Sequence, residues 1–206
     1  MKPRIPRDWV GETVFLIAGG ESVKHVDLTC LRGHRVVVIN SSYLACPWAD
    51  ALVFTDKRWW KKHRRRVRGV AFSGEVVTLT PHSELYEGLS VYDRQRSSGM
   101  STDPTRLAWY HTSVTTALNW IALKGAARVG ILGLDGKGDW HHEPHPVTWG
   151  RNESKFKFHA EALREIANPL YSYGVHVFNL NRESEHKMFA FVSLDDLLAI
   201  AQEKAA

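Results

Sequence analysis

Long apolar runs are missing from this chain of 206 residues. None approaches the roughly 18 to 20 residues that a helix needs to cross a bilayer, which excludes a helical membrane span. The opening Met1-Lys2-Pro3-Arg4-Ile5-Pro6-Arg7 is basic but has no apolar segment of secretory type behind it, so a cytoplasmic location is expected. Cysteine is scarce: Cys30 and Cys46 stand in no metal-binding spacing, and both are expected to be reduced. Two nucleotide signatures are also missing. There is no Gly-x-x-x-x-Gly-Lys-Ser/Thr loop, and no Gly-x-Gly-x-x-Gly followed by an acid after a second strand, where Asn40 stands instead. These absences disfavour ordinary phosphate-loop NTPases and nicotinamide dehydrogenases.

What is present suits a globular chain with one core. The composition is 44% hydrophobic and 24% charged, and the length suffices for one domain over residues 1–206 but is short for two. The organising stretch is Val14-Phe15-Leu16-Ile17-Ala18-Gly19-Gly20-Glu21-Ser22. An apolar run that stops at Gly-Gly predicts a buried parallel strand delivering the chain to a tight turn, where backbone can approach a ligand. The same pattern also describes an ordinary turn.

Read in order, residues 1–12 predict a loosely held arm ending in Trp9, followed by a strand at about 13–18 and a short helix from Ser22 to about Leu31. Further strands are expected at Arg35–Ile39 and Ala51–Phe54, with one or two short ones between Gly69 and Leu79. Residues 80–106 hold Pro81, Gly88, Gly99 and Pro104 with little periodicity, and read as a surface excursion or lid. A helix from Ser113 to Lys124 ends at Gly125. A strand at 127–132 leads to the polar, His-rich loop 135–154. A helix over 155–173, a strand at 175–178 and a closing helix over 193–203 complete the chain. Alternation of helices with strands lacking in-out polarity predicts an α/β fold: a doubly wound, mostly parallel Rossmann-like sheet with helices on both faces. Gly19, Gly20, Asn40, Asp56, Asp135 and Asn179 then fall just past strands, on the edge where such sheets bind ligands.

The chemistry-bearing residues concentrate in Asp135-Gly136-Lys137-Gly138-Asp139-Trp140-His141-His142-Glu143-Pro144-His145. Such a loop can supply a general base, a phosphate-binding cation or ligands to a divalent metal, and it can equally be plain solvated loop. Thr112 and Ser113 open a helix, where hydroxyls and free amides take a phosphate or simply cap. His111 stands beside them. The net charge of +5 owes much to Lys57-Arg58-Trp59-Trp60-Lys61-Lys62-His63-Arg64-Arg65-Arg66-Val67-Arg68. This run reads as a solvated helix with Trp59 or Trp60 inward, or as a nucleic-acid surface whose tryptophans stack on bases.

Taken together, Ile17-Ala18-Gly19-Gly20-Glu21-Ser22-Val23, Asn40, Pro47-Trp48-Ala49-Asp50 with Asp56 and Trp59-Trp60, Thr112-Ser113, Ile131-Leu132-Gly133-Leu134-Asp135 and the Trp140 to His145 cluster resemble a known group. It comprises two related Rossmann-like families, the bacterial lipooligosaccharide sialyltransferases and the proteins like archaeal 6-hydroxymethylpterin diphosphokinase. The histidine cluster is most similar to that of their phage and prophage branch. The resemblance covers most of residues 13–180. It implies that Gly19, Gly20, Ser22, Asn40, Thr112 and Ser113 hold a nucleotide, with His142 or His145 near the transferred group; Asp56, just past a strand, is a further nucleotide-binding candidate and Asp135 a further catalytic one. Glu21 stands where the families have proline, and Val114 where they have glycine. The expected activity is that of a glycosyltransferase-like enzyme using a nucleotide or nucleotide-sugar donor on an unidentified acceptor. One rival is a diphosphokinase acting on a small heterocyclic alcohol, with magnesium on Asp56 or Asp135. The other is a non-catalytic protein that binds nucleic acid through Lys57 to Arg68.

Overall fold

The computed structural model describes residues 3–69, 72–79, 88–95, 99–109, 112–143 and 153–203. Strands β1 (Thr13–Ile17), β2 (Arg35–Ile39) and β3 (Ala51–Phe54) precede helix α1 (Lys57–Gly69). Then come β4 (Glu75–Thr78), β5 (Ser90–Val91), β6 (Asp93–Arg94), β7 (Arg106–Leu107) and helix α2 (Ser113–Lys124). The chain ends with β8 (Arg128–Leu132), helix α3 (Glu153–Ser172), β9 (His176–Asn179), β10 (Ala190–Phe191) and helix α4 (Leu194–Glu203).

Eight strands form one sheet in the order β10-β9-β8-β1-β2-β3-β4-β5, and every pairing in it is parallel. The chain steps outward from β1 to β5, then returns to the other side of β1 for β8. The topological switch therefore lies between β1 and β8, with all carboxyl ends on one edge. Burial on both faces explains why the strands read as continuous apolar runs. Val14, Leu16, Val37, Val53 and Ile131 face one core layer with Leu118, Ile121, Leu163 and Ile166 of α2 and α3. Phe15, Ile17, Val36, Leu52 and Phe54 face the other, with Trp59, Trp60 and Val67 of α1 and Leu197 of α4. The expected α/β architecture with helices on both faces is thus the observed one.

Two local expectations need correction. No α-helix follows the first turn: two short 3-10 segments, Glu21–His25 and Leu28–Leu31, take its place. Ser22 gives its hydroxyl to Asp135, and Asp27 caps Thr29, whose backbone N donates to it at 2.9 Å, so the chain restarts instead of continuing helically. The N-terminal arm is not loose. Ile5 and Trp9 are buried, Trp9 N donates to the Lys124 carbonyl at 2.8 Å, and Trp9 packs edge-on against Trp120 at 5.0 Å. The Lys124 ammonium, itself buried, reaches back to Asp8 at 2.8 Å.

The irregular segment is tied down where it is described. It adds β5 to the sheet, and β6 and β7 pair in parallel as a separate ribbon. Asn119, fully buried on α2, accepts from Ser101 N and Ala108 N at 3.0 and 2.8 Å and donates to the Ser101 carbonyl at 2.9 Å. Residues 80–87 and 96–98 of the expected lid lie outside the described residues. The short edge strand β10, also unanticipated, pairs with β9.

Both tryptophans of α1 point inward. Trp60 stacks on Phe54 at 4.7 Å, while Trp59 donates its indole N–H to the Ser41 hydroxyl at 3.0 Å and stacks on His63 at 4.6 Å. Neither has exposed surface. Trp60→Ala is therefore expected to cost about 3–5 kcal/mol of stability by cavity formation. Arg65→Ala on the exposed face should stay within about 0.5 kcal/mol. Urea midpoints for the two variants check this, and equal effects would refute the inward placement.

Candidate functional site

The carboxyl ends of β1 and β8 are joined by the carboxylate of Asp135. It accepts from Ser22 N at 2.9 Å, from the Ser22 hydroxyl at 2.6 Å and from the Asn181 side-chain amide at 2.9 Å. Asp135 is 3% exposed, so this is a buried charge satisfied by three donors. Gly20 N bonds the Gly133 carbonyl at 2.9 Å directly beneath. A side chain at Gly20 would run into both that carbonyl and the Asp135 carboxylate, which is why glycine is required there. At the β1 turn, the Ser22 amide thus already holds an anion supplied by the protein.

The His-rich loop lies over the same turn. Trp140 forms an antiparallel bridge with Gly20, and His141 N donates to the Gly19 carbonyl at 3.2 Å. A Cβ on Gly19 would sit 3.2 Å from both His142 Nε2 and the Trp140 ring, so the bare Gly19 backbone lets the loop approach. Gly138 is similarly close-packed: Glu21 lies against it, with Cγ 3.4 Å from where a side chain would start. Glu21 is therefore placed against the loop.

Ser42 and His141 form a contact that the sequence did not reveal. Ser42 Oγ is 2.9 Å from His141 Nε2 and donates to the Ala18 carbonyl at 3.2 Å. A hydroxyl has one proton, so with that proton on Ala18 the oxygen accepts from Nε2–H. The pair fastens the loop to β1 and β2; it is not an arrangement in which the imidazole activates the serine, which is itself fully buried. Burial lowers the His141 pKa from 6.5 to about 4, with neighbouring His142 acting in the same direction. Burial likewise lowers the pKa of His186, whose backbone N donates to the Ser184 hydroxyl at 3.0 Å while that hydroxyl donates to the Leu134 carbonyl.

His142 is oriented differently. Its Nδ1 lies 2.7 Å from the Glu143 carbonyl, which can only accept, so Nδ1 carries the proton and Nε2 is the basic nitrogen of the neutral ring. That nitrogen faces Gly19.

Beyond the covered turn, the edge is lined by Asn40, Thr55, Thr112 and Ser113. Asn40, straight after β2, has φ +47°, and it is the one non-glycine residue with positive φ among those described. Asparagine is among the few side chains that adopt this left-handed region readily. The Ser113 hydroxyl is 3.5 Å from Asn40 Oδ1 and 3.0 Å from the Thr55 hydroxyl. Thr112 caps α2 by accepting from Val114 N at 3.2 Å. The positive end of α2 therefore lies at this edge, with Thr112 and Ser113 themselves buried.

The predicted residues thus divide. Gly19, Asn40, Thr112, Ser113 and His142 are brought to the same edge, whereas Gly20, Ser22 and Asp135 hold one another. Asp56 caps α1 through Arg58 N at 2.7 Å and pairs with the Arg58 guanidinium at 3.0 Å. His111 and His145 lie outside the described residues. With both candidate carboxylates already engaged, the donors do not fit a magnesium site, and no group of three His, Cys, Asp or Glu suited to a metal occurs among the described residues. Cys46 is buried, which pushes its thiol up to about 11, and Cys30 is exposed without a partner cysteine. No helix among the described residues is long and apolar enough to cross a membrane. Comparison with models of known protein families gives no match, and comparison with curated proteins gives none either.

The neutral His141 has a consequence for pH dependence. Its folded pKa of about 4 lies below the unfolded 6.5. Between those values the unfolded chain binds a proton that the folded one does not, so stability is full above pH 6.5 and falls as pH drops towards 4. For a ring that retains some solvent contact, the loss should be about 1–2 kcal/mol. Urea unfolding at pH 7.5 and 5 should show that decline, and His141→Gln should flatten it; a decline unchanged in the variant would assign it elsewhere.

Proposed function

We propose that the carboxyl edge binds a nucleotide or nucleotide sugar and that the protein transfers a group from this donor to an acceptor, as a glycosyltransferase-like enzyme of phage or prophage type. The observation that carries the reading is Asn40, held at φ +47° beside Ser113 at the start of α2. Its side-chain N–H2 has no partner among the described residues. We read this backbone conformation as one that holds the Asn40 side chain at the carboxyl edge. The hydroxyl of Ser113 and the amide end of α2 suit a phosphate, while Asn40 suits a base or ribose. The order of motifs from Gly19 to the Trp140 cluster supports the same assignment by its resemblance to the sialyltransferase and diphosphokinase-like families.

His142 would act as general base through Nε2. As the acceptor oxygen forms its bond to the transferred group, its proton passes to Nε2, and the bond to the nucleotide phosphate breaks with its electrons leaving on that phosphate. The α2 terminus stabilises the charge that develops there. Val114, in place of the families' glycine, is buried in the core layer that also holds Ala117 and Leu118. The diphosphokinase alternative is less well supported, because Asp56 and Asp135 are occupied by Arg58 and by Ser22 with Asn181.

Thermal shift with a panel of nucleotides and nucleotide sugars tests the reading. At about 100 times its dissociation constant a ligand contributes about 2.7 kcal/mol, which corresponds to a midpoint rise of about 5–10 °C for a chain of this size. One nucleotide class is expected to give that rise. Asn40→Gly, which relieves the positive φ but removes the amide, should abolish it. A flat panel, or full binding by the glycine variant, would sink the proposal. His142→Ala should leave the shift intact and lower the rate of transfer about 100-fold or more.

A further inference from the structure

We infer that the outward face of α1 binds the phosphodiester backbone of a nucleic acid. This is a second surface, independent of the nucleotide reading above. Between Lys57 and Gly69 the helix carries Lys57, Lys61, Lys62, Arg58, Arg64, Arg65, Arg66 and Arg68, and no acidic residue. Trp59, Trp60 and Val67 occupy the inward side and are fully or almost fully buried. Arg58, Lys61, Lys62, Arg65, Arg66 and Arg68 are all exposed. At 100° per residue they form one continuous cationic stripe along a helix of roughly 20 Å.

The arrangement is unfavourable for an isolated helix. Lys61 and Arg65, Lys62 and Arg66, and Arg64 and Arg68 are like-charged pairs four residues apart, which destabilise a helix where mixed signs would stabilise it. Lys57 and Arg58 lie at its positive end, a further opposition. Asp56 answers Arg58 at 3.0 Å, but Lys61, Lys62, Arg64, Arg65 and Arg66 have no ion-pair partner among the described residues. Solubility alone needs no such concentration of one sign. The indoles anchored on Phe54 and Ser41 supply the packing that holds the cations in place.

A nucleic acid fits this face better than a lipid surface does. The apolar side of α1 is used up in the core, leaving nothing to insert between acyl chains. The stripe is rich in arginine, whose planar fork meets phosphate oxygens in pairs. A duplex offers about one phosphate charge per 1.7 Å of axis, so several side chains can be engaged at once. With the tryptophans buried, bases are not stacked on this helix, and binding is expected to be indifferent to sequence.

The test is fluorescence anisotropy with a labelled 25-base-pair DNA duplex and an RNA strand of equal length, from 50 to 200 mM salt. Binding should weaken steeply with salt, with a slope of log K against log salt of about −3 to −5, the value for four or five phosphates. Lys62→Glu with Arg65→Glu should weaken binding at least about 10-fold and reduce the slope by about 2, whereas Lys157→Glu with Lys187→Glu, an equal charge change away from α1, should alter neither by as much. Lys62→Ala with Arg65→Ala, which introduces no new charge, should lower the slope similarly while the unfolding midpoint stays constant. No binding at 50 mM salt, equal loss in both reversed pairs, or tighter binding to vesicles rich in anionic lipid than to either nucleic acid would overturn the inference.

Discussion

The structure depends on one buried carboxylate. Asp135 stands near the start of the loop after β8, Ser22 near the end of the turn after β1, and their contact closes the switch point where the sheet reverses its direction of growth. A carboxylate in that position needs donors from both sides, because an unsatisfied buried charge would be very costly. Asn181, beyond β9, provides the third. Three neighbouring strands are thereby locked at their carboxyl ends, and the loop that follows Asp135 lies across Gly19 and Gly20. Trp140, His141 and His142 are then held in place by the bridge to Gly20, the bond to the Gly19 carbonyl and the Ser42 contact.

How much of this was legible in the sequence depended on range. Helix α2 is read correctly to its ends because its signals are local: Thr112 caps it, and Gly125 stops it at φ +97°. The central strands are equally legible, since burial on both faces leaves an unbroken apolar run. The segment after β1 is misjudged because Ser22 looks like a helix cap, while its actual partner stands 113 residues away. The same holds for the arm, whose hold on the body comes from Lys124 and Trp120 and not from any pattern within residues 1–12.

The candidate site shows the same division. Residues placed by strand ends, such as Gly19 and Asn40, lie on the expected edge. Those whose role depends on what fills the space around them, such as Ser22, Asp56 and Asp135, could not be separated by sequence into ligand-facing and internally committed groups. Ser42 gave no signal beyond following Asn40, because its relation to His141 arises only when the loop is docked. In α1 the sequence offered two readings, tryptophan packed inward or tryptophan exposed beside the cations, and the fold buries both indoles on the side opposite the cations.

The position of β1 has a consequence for the growing chain. Its hydrogen-bonding edges are completed by β2 on one side and by β8 on the other, and the second pairing joins Val14 to Val129. At a synthesis rate of about 5–20 residues per second, many seconds separate the two strands. Throughout that interval a fully buried, largely apolar strand has an open edge, the kind of surface that recruits other chains. The feature that makes β1 the centre of the finished sheet therefore also makes it the segment most in need of protection during biosynthesis, and the risk ends when β8 pairs with it.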